Sequence, residues 1–250
     1  MSKISAVVIT LNEERNIKRC IQSLDGVADE VIVVDSHSTD QTVDIAESCG
    51  ATVYQIDWAG YSLTKNFGHS KANYEYILSI DADEALSEEL KSAILKVKKE
   101  SLHGTYSFNR LTNYCGKWIK HGGWYPDEKL RLFPTKSSIW EGDIHEKLVF
   151  HPSQKNTKLK GDLLHYSYYT FEEHQTRADK YSSLTAIKMH QNGKTASVFK
   201  PFISAFSRFF GMYIIEGGIL DGKMGLIIAY ISAKSNFFKY QELKRLNSSK

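Results

Sequence analysis

Cysteine is scarce: Cys20, Cys49 and Cys115 are odd in number, widely spaced and form no Cys-x-x-Cys pair. That pattern argues against a disulfide framework or a zinc site and suits a reducing compartment. Long apolar runs are missing too, since no uncharged stretch approaches the ~20 residues that cross a bilayer. The start, Met1-Ser2-Lys3-Ile4, passes directly into a strand-like run without a signal peptide's apolar core or cleavage site. A cytoplasmic protein is therefore expected. No Gly-x-Gly-x-x-Gly follows the first strand-like run, which speaks against a dinucleotide-binding oxidoreductase, and no P-loop lysine motif is present. Internal repeats and low-complexity tracts are absent.

What is present is ordinary globular composition, 42% hydrophobic and 24% charged over 250 residues. That length holds one large domain, or one domain and an appendage. The net charge of +3 is unevenly spread. Residues 196–250 hold 8 Lys/Arg and 3 Asp/Glu, a balance of +5, which leaves −2 for the first 195. A basic tail on a near-neutral body points to an anionic partner, membrane lipid or nucleic acid.

"ISAVVITL" (4–11) and "EVIVVD" (30–35) are continuous β-branched runs, the pattern of strands buried on both faces. Between them, "NEERNIKRCIQSL" places Ile17, Cys20, Ile21 and Leu24 on one helical face, with Asn12 as N-cap. A helix over 40–49 capped near Asp40, a strand over 51–56, a helix over 61–73 and a strand over 75–81 follow. Leu86, Leu90, Ile94 and Val97 mark another amphipathic helix, with Ser87 as cap and Glu88-Glu89 in its first turn. Such alternation predicts βαβ units in a doubly wound sheet. Ligands bind such sheets beyond the strands' carboxyl ends, where Thr10-Leu11-Asn12-Glu13, Asp35-Ser36, Asp57 and Asp81-Ala82-Asp83 are expected. Short strands and loops rich in Gly and Trp are expected over 104–150, and a helix from a capping box at Thr170-Phe171-Glu172-Glu173.

Two aspartates around an alanine at a strand end suit a hard cation, Mg²⁺ or Mn²⁺, shared with substrate phosphates. The alternative is a solvated turn. Asp35 ends a buried strand, where an unpaired carboxylate is costly unless a donor or ligand meets it, so ligand contact is expected there. An Asx-turn is the alternative for Asp35, and for Asp40 a helix cap is preferred.

"VVITLNEERNI", "EVIVVDSHSTDQT", "TKNFG" and "ILSIDADE" occur in an order and spacing that resembles the family 2 nucleotide-sugar glycosyltransferases. The subgroup that looks most similar adds a β-linked glucose to the bacterial lipopolysaccharide inner core. The resemblance is strong over 4–84, moderate over 120–150 and loose in the tail. It implies a GT-A fold: α/β, a mixed, mainly parallel sheet flanked by helices, over residues 1–168, with a helical, basic-aromatic appendage over 169–250. It also implies an inverting, metal-dependent transfer, with glucose from UDP-glucose to a lipopolysaccharide core or other lipid-linked acceptor.

By the same resemblance, Thr10, Asn12 and Glu13 would line base and ribose, and Asp35 would read the uracil or ribose. Lys65 would neutralise the diphosphate; otherwise it is one exposed helical lysine. Asp83 would hold the cation, with Asp81 nearer the ribose. Inverting transfer needs a base for the acceptor hydroxyl. Asp127, Glu141 and Glu146 are candidates. The subgroup's similar "HE" favours Glu146, with Asp127 second. His145 is a further metal or phosphate contact, or an ordinary partly buried histidine. Arg131 binds the diphosphate or an acidic acceptor, or pairs with a strand neighbour. Trp124, Tyr125 and Trp140 could stack on sugar rings, or pack as core aromatics.

Phe199, Phe202, Phe206, Phe209, Phe210 and Tyr213 form a helical stripe, and 224–240 is a second apolar segment. Packing on the catalytic domain is one explanation. Flanking cations add peripheral attachment to the anionic cytoplasmic face of the inner membrane, while Glu216 and Asp221 oppose spanning. Two other classes stay open. A sugar nucleotidyltransferase would want a Gly-rich basic loop in place of "TLNEERN". A non-catalytic nucleic-acid-binding protein would want a stacking platform, and no such motif appears, so no nucleic acid is expected as partner.

Overall fold

The computed structural model describes residues 2–142, 147–150 and 154–248. The chain divides into two compact units. The first comprises Met1–Arg110 and Asp127–Tyr166, the second Leu111–Pro126 and Ser167–Lys250.

The first unit begins with the expected alternation. It runs β1 (Ile4–Thr10), α1 (Ile17–Ser23), β2 (Glu30–Asp35), α2 (Thr42–Ser48), β3 (Thr52–Gln55), α3 (Tyr61–Ser70) and β4 (Tyr76–Asp81). β5 (Glu84–Leu86), α4 (Glu88–Lys99), β6 (Thr105–Tyr114), β7 (Lys117–Ile119) and β8 (Asp127–Pro134) continue the chain, followed by β9 (Ser138–Glu141), β10 (Lys147–Phe150) and β11 (Asn156–Tyr168). The main sheet has the order β3-β2-β1-β4-β8-β6-β11-β5, with β7 paired to β6, and β9 and β10 form a separate hairpin. β1 pairs in parallel with β2 and β4, and β2 with β3, whereas β8 runs antiparallel to β4 and β6. The sheet is therefore mixed, with a parallel half built from the βαβ repeats.

All seven residues of β1 are buried, as a continuous β-branched run requires. Ala6, Val8, Val33 and Leu78 face a core with Ile17, Cys20 and Leu24 of α1, Ala46 of α2, and Leu90 and Ile94 of α4. On the other face, Val7, Ile9, Val34 and Ile77 pack with Phe67, Phe133 and Trp140. Burying each such side chain is worth about 1.5–3 kcal/mol, so the alternation of the two faces fixes strand register. Ser87 caps α4 by accepting the Leu90 amide.

The second unit holds the end of β6, β7, and the helices α5 (Phe171–Gln191), α6 (Lys200–Phe210) and α7 (Gly222–Ser248). Thr170 and Glu173 form the expected capping box at the start of α5. Tyr114, Ile119, Met212, Ile228 and Ala229 make its core, with Trp124, Tyr168, Phe209 and Tyr213 against it. Gly225 of α7 must be glycine, because a Cβ there would lie 1.8 Å from the Gly218 carbonyl oxygen. Among the described residues, no helix is long and apolar enough to cross a membrane. None of Cys20, Cys49 and Cys115 is in a disulfide.

Candidate functional site

The carboxyl ends of three parallel strands lie side by side: Thr10 of β1 is in register with Asp35 of β2, and Ile9 with Asp81 of β4. The loop after β1 turns at Asn12, whose φ of 55° is a conformation asparagine tolerates. Its amide donates to Ser38 Oγ at 2.8 Å and its Oδ1 accepts the Thr39 amide at 2.8 Å. The Glu13 amide donates to Thr42 Oγ1 at 2.8 Å, and the Glu13 carboxylate accepts from Asn16 Nδ2 at 2.7 Å. The β1–α1 and β2–α2 loops are thus tied together by side chains.

Asp35 is buried, and protein donors meet its carboxylate: the Ser38 amide at 2.9 Å, the Ser38 hydroxyl, and Gln55 Nε2 at 3.1 Å. The cost of burying that charge is offset within the fold. Asp40 accepts the amides of Thr42 at 3.0 Å and Glu14 at 3.2 Å. Asp57 meets His37 Nε2 at 3.2 Å on the surface.

An alternating chain of charges runs outward from Asp81. Lys65 of α3, only 2% exposed, places Nζ 3.5 Å from Asp81 Oδ1 and 4.7 Å from the Trp140 ring centre. Arg131 of β8 donates from Nη2 to Asp81 Oδ2 and to Glu84 Oε1, each at 3.0 Å. Arg110 of β6 lies 3.5 Å from Glu84 and donates to Asp127 Oδ2 at 2.8 and 3.0 Å, while Lys129 reaches Asp127 Oδ1 at 2.8 Å. Burial works to raise the Asp81 pKa, but Arg131 and Lys65 outweigh it and hold the carboxyl well below the usual range. Asp127 follows the same logic: burial opposes ionisation, and Lys129 and Arg110 prevail, leaving its pKa lowered. Burial opposes the Arg131 charge as well, yet Glu84 and Asp81 raise its pKa further.

Lys65 can sit this deep because α3 lies close on the sheet. A Cβ at Gly68 would come 2.5 Å from Val7 Cγ1 and 2.9 Å from Val34 Cγ2. Next to Lys65, His69 is neutral, its pKa lowered to about 3 by burial and then by the Lys65 charge. Its Nε2 accepts Trp140 Nε1–H at 3.3 Å. Trp140 is 8% exposed in the core, so the Gly-rich stretch around it does not leave it in an open loop. Trp124 likewise packs edge-on against Tyr114.

Asp83 lies one residue past Ala82, and its Oδ2 meets His165 Nε2 of β11 at 3.1 Å. The pairing of His165 with Glu84 across β11 and β5 produces that approach. Two buried polar atoms at this edge, Thr10 Oγ1 and Ser36 Oγ, make no hydrogen bond to any described group, while Asp81 Oδ1 is met by the Lys65 ion pair at 3.5 Å. Buried polar atoms are normally satisfied, so this edge has hydrogen-bonding capacity for a ligand. Among the described residues, no three His, Cys, Asp or Glu side chains converge as a metal cage. Asp83 and His165 offer two donors, which suits Mg²⁺ or Mn²⁺ that keep waters and take substrate phosphates as further ligands. His145 and Glu146, named from sequence, lie outside the described residues.

Glu84, Arg110 and His165 carry this site beside the residues expected from sequence. Glu84 was visible as the third acid after β4, but its burial between two arginines depends on long-range pairing. Arg110 and His165 sit within alternating strands and carry no local signal.

Residues 5–153 match the glycosyl transferase family 2 profile. An uncharacterized glycosyltransferase of Rickettsia typhi is 33% identical over 259 residues, covering 99% of this chain and 88% of that protein. The lipopolysaccharide core biosynthesis glycosyltransferase LpsC of Rhizobium meliloti is 26% identical, covering 98% of this chain and 95% of LpsC. The S. aureus TarS structure in complex with UDP-GlcNAc aligns with 99% of this chain and 92% of that one, at a TM-score of 0.51 and 15% identity, a likeness of fold. The GT-A fold, the match over more than half the chain and full-length relatives at one-third identity agree: the chain belongs to glycosyl transferase family 2 and is a glycosyltransferase.

Proposed function

We propose that the enzyme transfers glucose from UDP-glucose, with inversion, to a lipid-linked glycan of the lipopolysaccharide-core type. The observation that carries this is the placement of Asp81 and Asp83 at the carboxyl end of β4, with Asp81 ionised between Lys65 and Arg131 and Asp83 facing His165. A basic pair behind one aspartate and a two-donor edge at the other suit a diphosphate and its counter-ion. TarS, which shares the fold, was solved with UDP-GlcNAc, which supports a UDP-linked donor, and LpsC is named for lipopolysaccharide core biosynthesis, which supports the acceptor class.

In this reading Asp83 and His165 would hold a divalent cation, which would supply positive charge for the diphosphate leaving group. Lys65 and Arg131 keep Asp81 charged and oriented toward the donor ribose. Asn12 and Glu13 border the base and ribose through the loop that Ser38, Thr39 and Thr42 brace, with Thr10 beneath it. Asp35 fixes Ser38 and so shapes that border. The acceptor hydroxyl attacks the anomeric carbon opposite the diphosphate, and a carboxylate takes its proton. Asp127 is ionised and fits that role by charge; Glu146 and Glu141 are the other candidates.

The basic tail and its exposed aromatics support peripheral attachment to an anionic membrane surface, which would concentrate the enzyme where its acceptor resides. The function is tested by incubating purified protein with Mn²⁺ and a panel of UDP-, GDP- and dTDP-sugars. Nucleotide release is then measured with and without core lipid. UDP release from UDP-glucose that rises with core lipid is expected, and release from another donor class alone would overturn the reading.

A further inference from the structure

α6 separates its side chains sharply. Phe199, Phe202, Ile203, Phe206 and Phe210 stand out from the second unit, Phe199 at 71% and Phe206 at 72% exposure, although Phe209 and Met212 turn inward. On the flank beside that ridge, Lys200, Ser204, Ser207 and Arg208 line a cleft of about 380 Å³, together with Asn236 of α7 and Glu216. Arg208 and Asn236 continue into a second cleft of about 440 Å³, lined with Ser232, Lys239 and His174. Three cations therefore share adjoining hollows.

Among the described residues, none of the three has a carboxylate partner. Lys239 donates to the Asn236 side-chain oxygen and lies 4.8 Å from the Tyr240 ring centre, and Lys200 lies 5.4 Å from that ring. Burial, then Arg208 and Lys200, lowers the Lys239 pKa, so the cations raise one another's cost. His174 is neutral above about pH 4, through burial and then Arg177, and adds no charge at neutral pH. Glu216 lines the first cleft, but no acid lines the second, and the like charges of Arg208 and Lys239 there, among serine hydroxyls and an amide, form a site for an anion with several acceptor oxygens. The adjoining apolar ridge selects the source of that anion, because a free phosphate has no use for exposed phenylalanines.

We propose that Lys200, Arg208, Asn236 and Lys239 form a cleft for the phosphate of an anionic phospholipid headgroup, with the Phe199–Phe210 ridge of α6 in the acyl boundary beside it. The proposal rests on the membrane-surface reading above and adds a discrete headgroup site to it. It differs from attraction by the tail's net charge, since only cations in the cleft are in place to hold a phosphate.

The test is partition of the full chain onto vesicles of phosphatidylcholine alone or with about one-third phosphatidylglycerol. Arg208→Gln with Lys239→Gln is compared with Lys188→Gln with Lys244→Gln, which removes the same charge at exposed positions outside the cleft. The cleft pair is expected to lose about tenfold or more in partition onto anionic vesicles, and the control pair only about two- to threefold. Unchanged glycosyl transfer to a soluble acceptor shows the variants are folded. Equal losses in the two pairs overturn the cleft and leave membrane attachment standing. Phe202→Ser with Phe206→Ser should weaken binding to both vesicle types. A wild-type chain that ignores both vesicle types removes the membrane reading itself. Titration with inorganic phosphate separates the sources: Arg208-dependent binding of free phosphate without vesicle binding overturns the lipid assignment.

Discussion

Arg131 holds Asp81 and Glu84 with one nitrogen, Nη2, at 3.0 Å from each. The pairing joins the end of β4, where a donor would lie, to a carboxylate that is fully buried. A cation on a third strand thus ties the two ends of the Asp81–Glu84 turn, alongside Lys65 on Asp81 and the Asp81 amide, which donates to Glu84 Oε2 at 2.9 Å.

Replacing that cation should be costly. Arg131→Met leaves Glu84 buried with Arg110 as its remaining cation, and removal of one partner from a buried pair costs about 3–5 kcal/mol. Urea unfolding monitored by tryptophan fluorescence measures it. A combined Arg131→Met and Glu84→Met variant should recover part of the loss, because no buried charge is then stranded.

Close packing places Lys65, so Gly68→Ala tests the placement. The added methyl would meet Val7 and Val34 inside van der Waals contact, and overpacking of this kind costs about 1–3 kcal/mol. The variant should also raise KM for the donor more than it lowers kcat, since α3 carries Lys65. An unchanged KM beside an unchanged melting temperature would show that α3 shifts freely.

Two buried histidines give stability a pH dependence with a definite sign. His69 and His174 have folded pKa values lowered to about 3 and about 4, below the ordinary 6.5. Above pH 6.5 both states are neutral there, and nothing is lost. As pH falls below 6.5 the unfolded chain takes up protons that the folded chain refuses, so stability declines toward pH 4. Each histidine contributes at most about 1.4 kcal/mol per pH unit in that window. His69→Gln, which keeps an acceptor for Trp140 Nε1, should flatten the slope measured by unfolding at pH 7, 6 and 5.

Asp127 is ionised by Lys129 and Arg110 and stands as a candidate base. Asp127→Asn keeps the shape and removes the proton acceptor, so a base role predicts a fall in kcat of about 10²–10⁴-fold. A structural role alone predicts lost stability with kcat nearly intact. The outcome decides whether Asp127 is the base or the role falls to Glu146 or Glu141.

The parallel half of the fold was legible because β-branched runs such as Ile4–Thr10 can hardly be anything but buried strands, and because Ser87 and Thr170 announce their helices. Asp81 and Asp83 were legible through their place at a strand end. Lys65 was legible as a motif lysine but not as a buried one, since its depth follows from the Gly68–Val7 approach. His165 was illegible: it reaches Asp83 only through pairing of strands 82 residues apart in sequence. Asp35 read as a carboxylate awaiting a ligand, because its donors Ser38 and Gln55 come from a turn and a neighbouring strand whose register is not local. Trp140 read as loop-borne because a hairpin of only four-residue strands leaves little periodicity.

The most direct measurement is calorimetric binding of UDP-glucose to the wild type and to Asp83→Ala, each with Mn²⁺ and again with excess chelator. The Asp83 carboxylate pairs with His165, and its backbone carbonyl, which accepts the Tyr166 amide, is kept in Asp83→Ala, so the variant should fold as the wild type does. Wild-type affinity that drops at least about tenfold with chelator, and an Asp83→Ala protein that is weak in both conditions, is the expected result. Equal affinity in all four titrations would contradict the assignment of the β4 edge as the diphosphate and cation site.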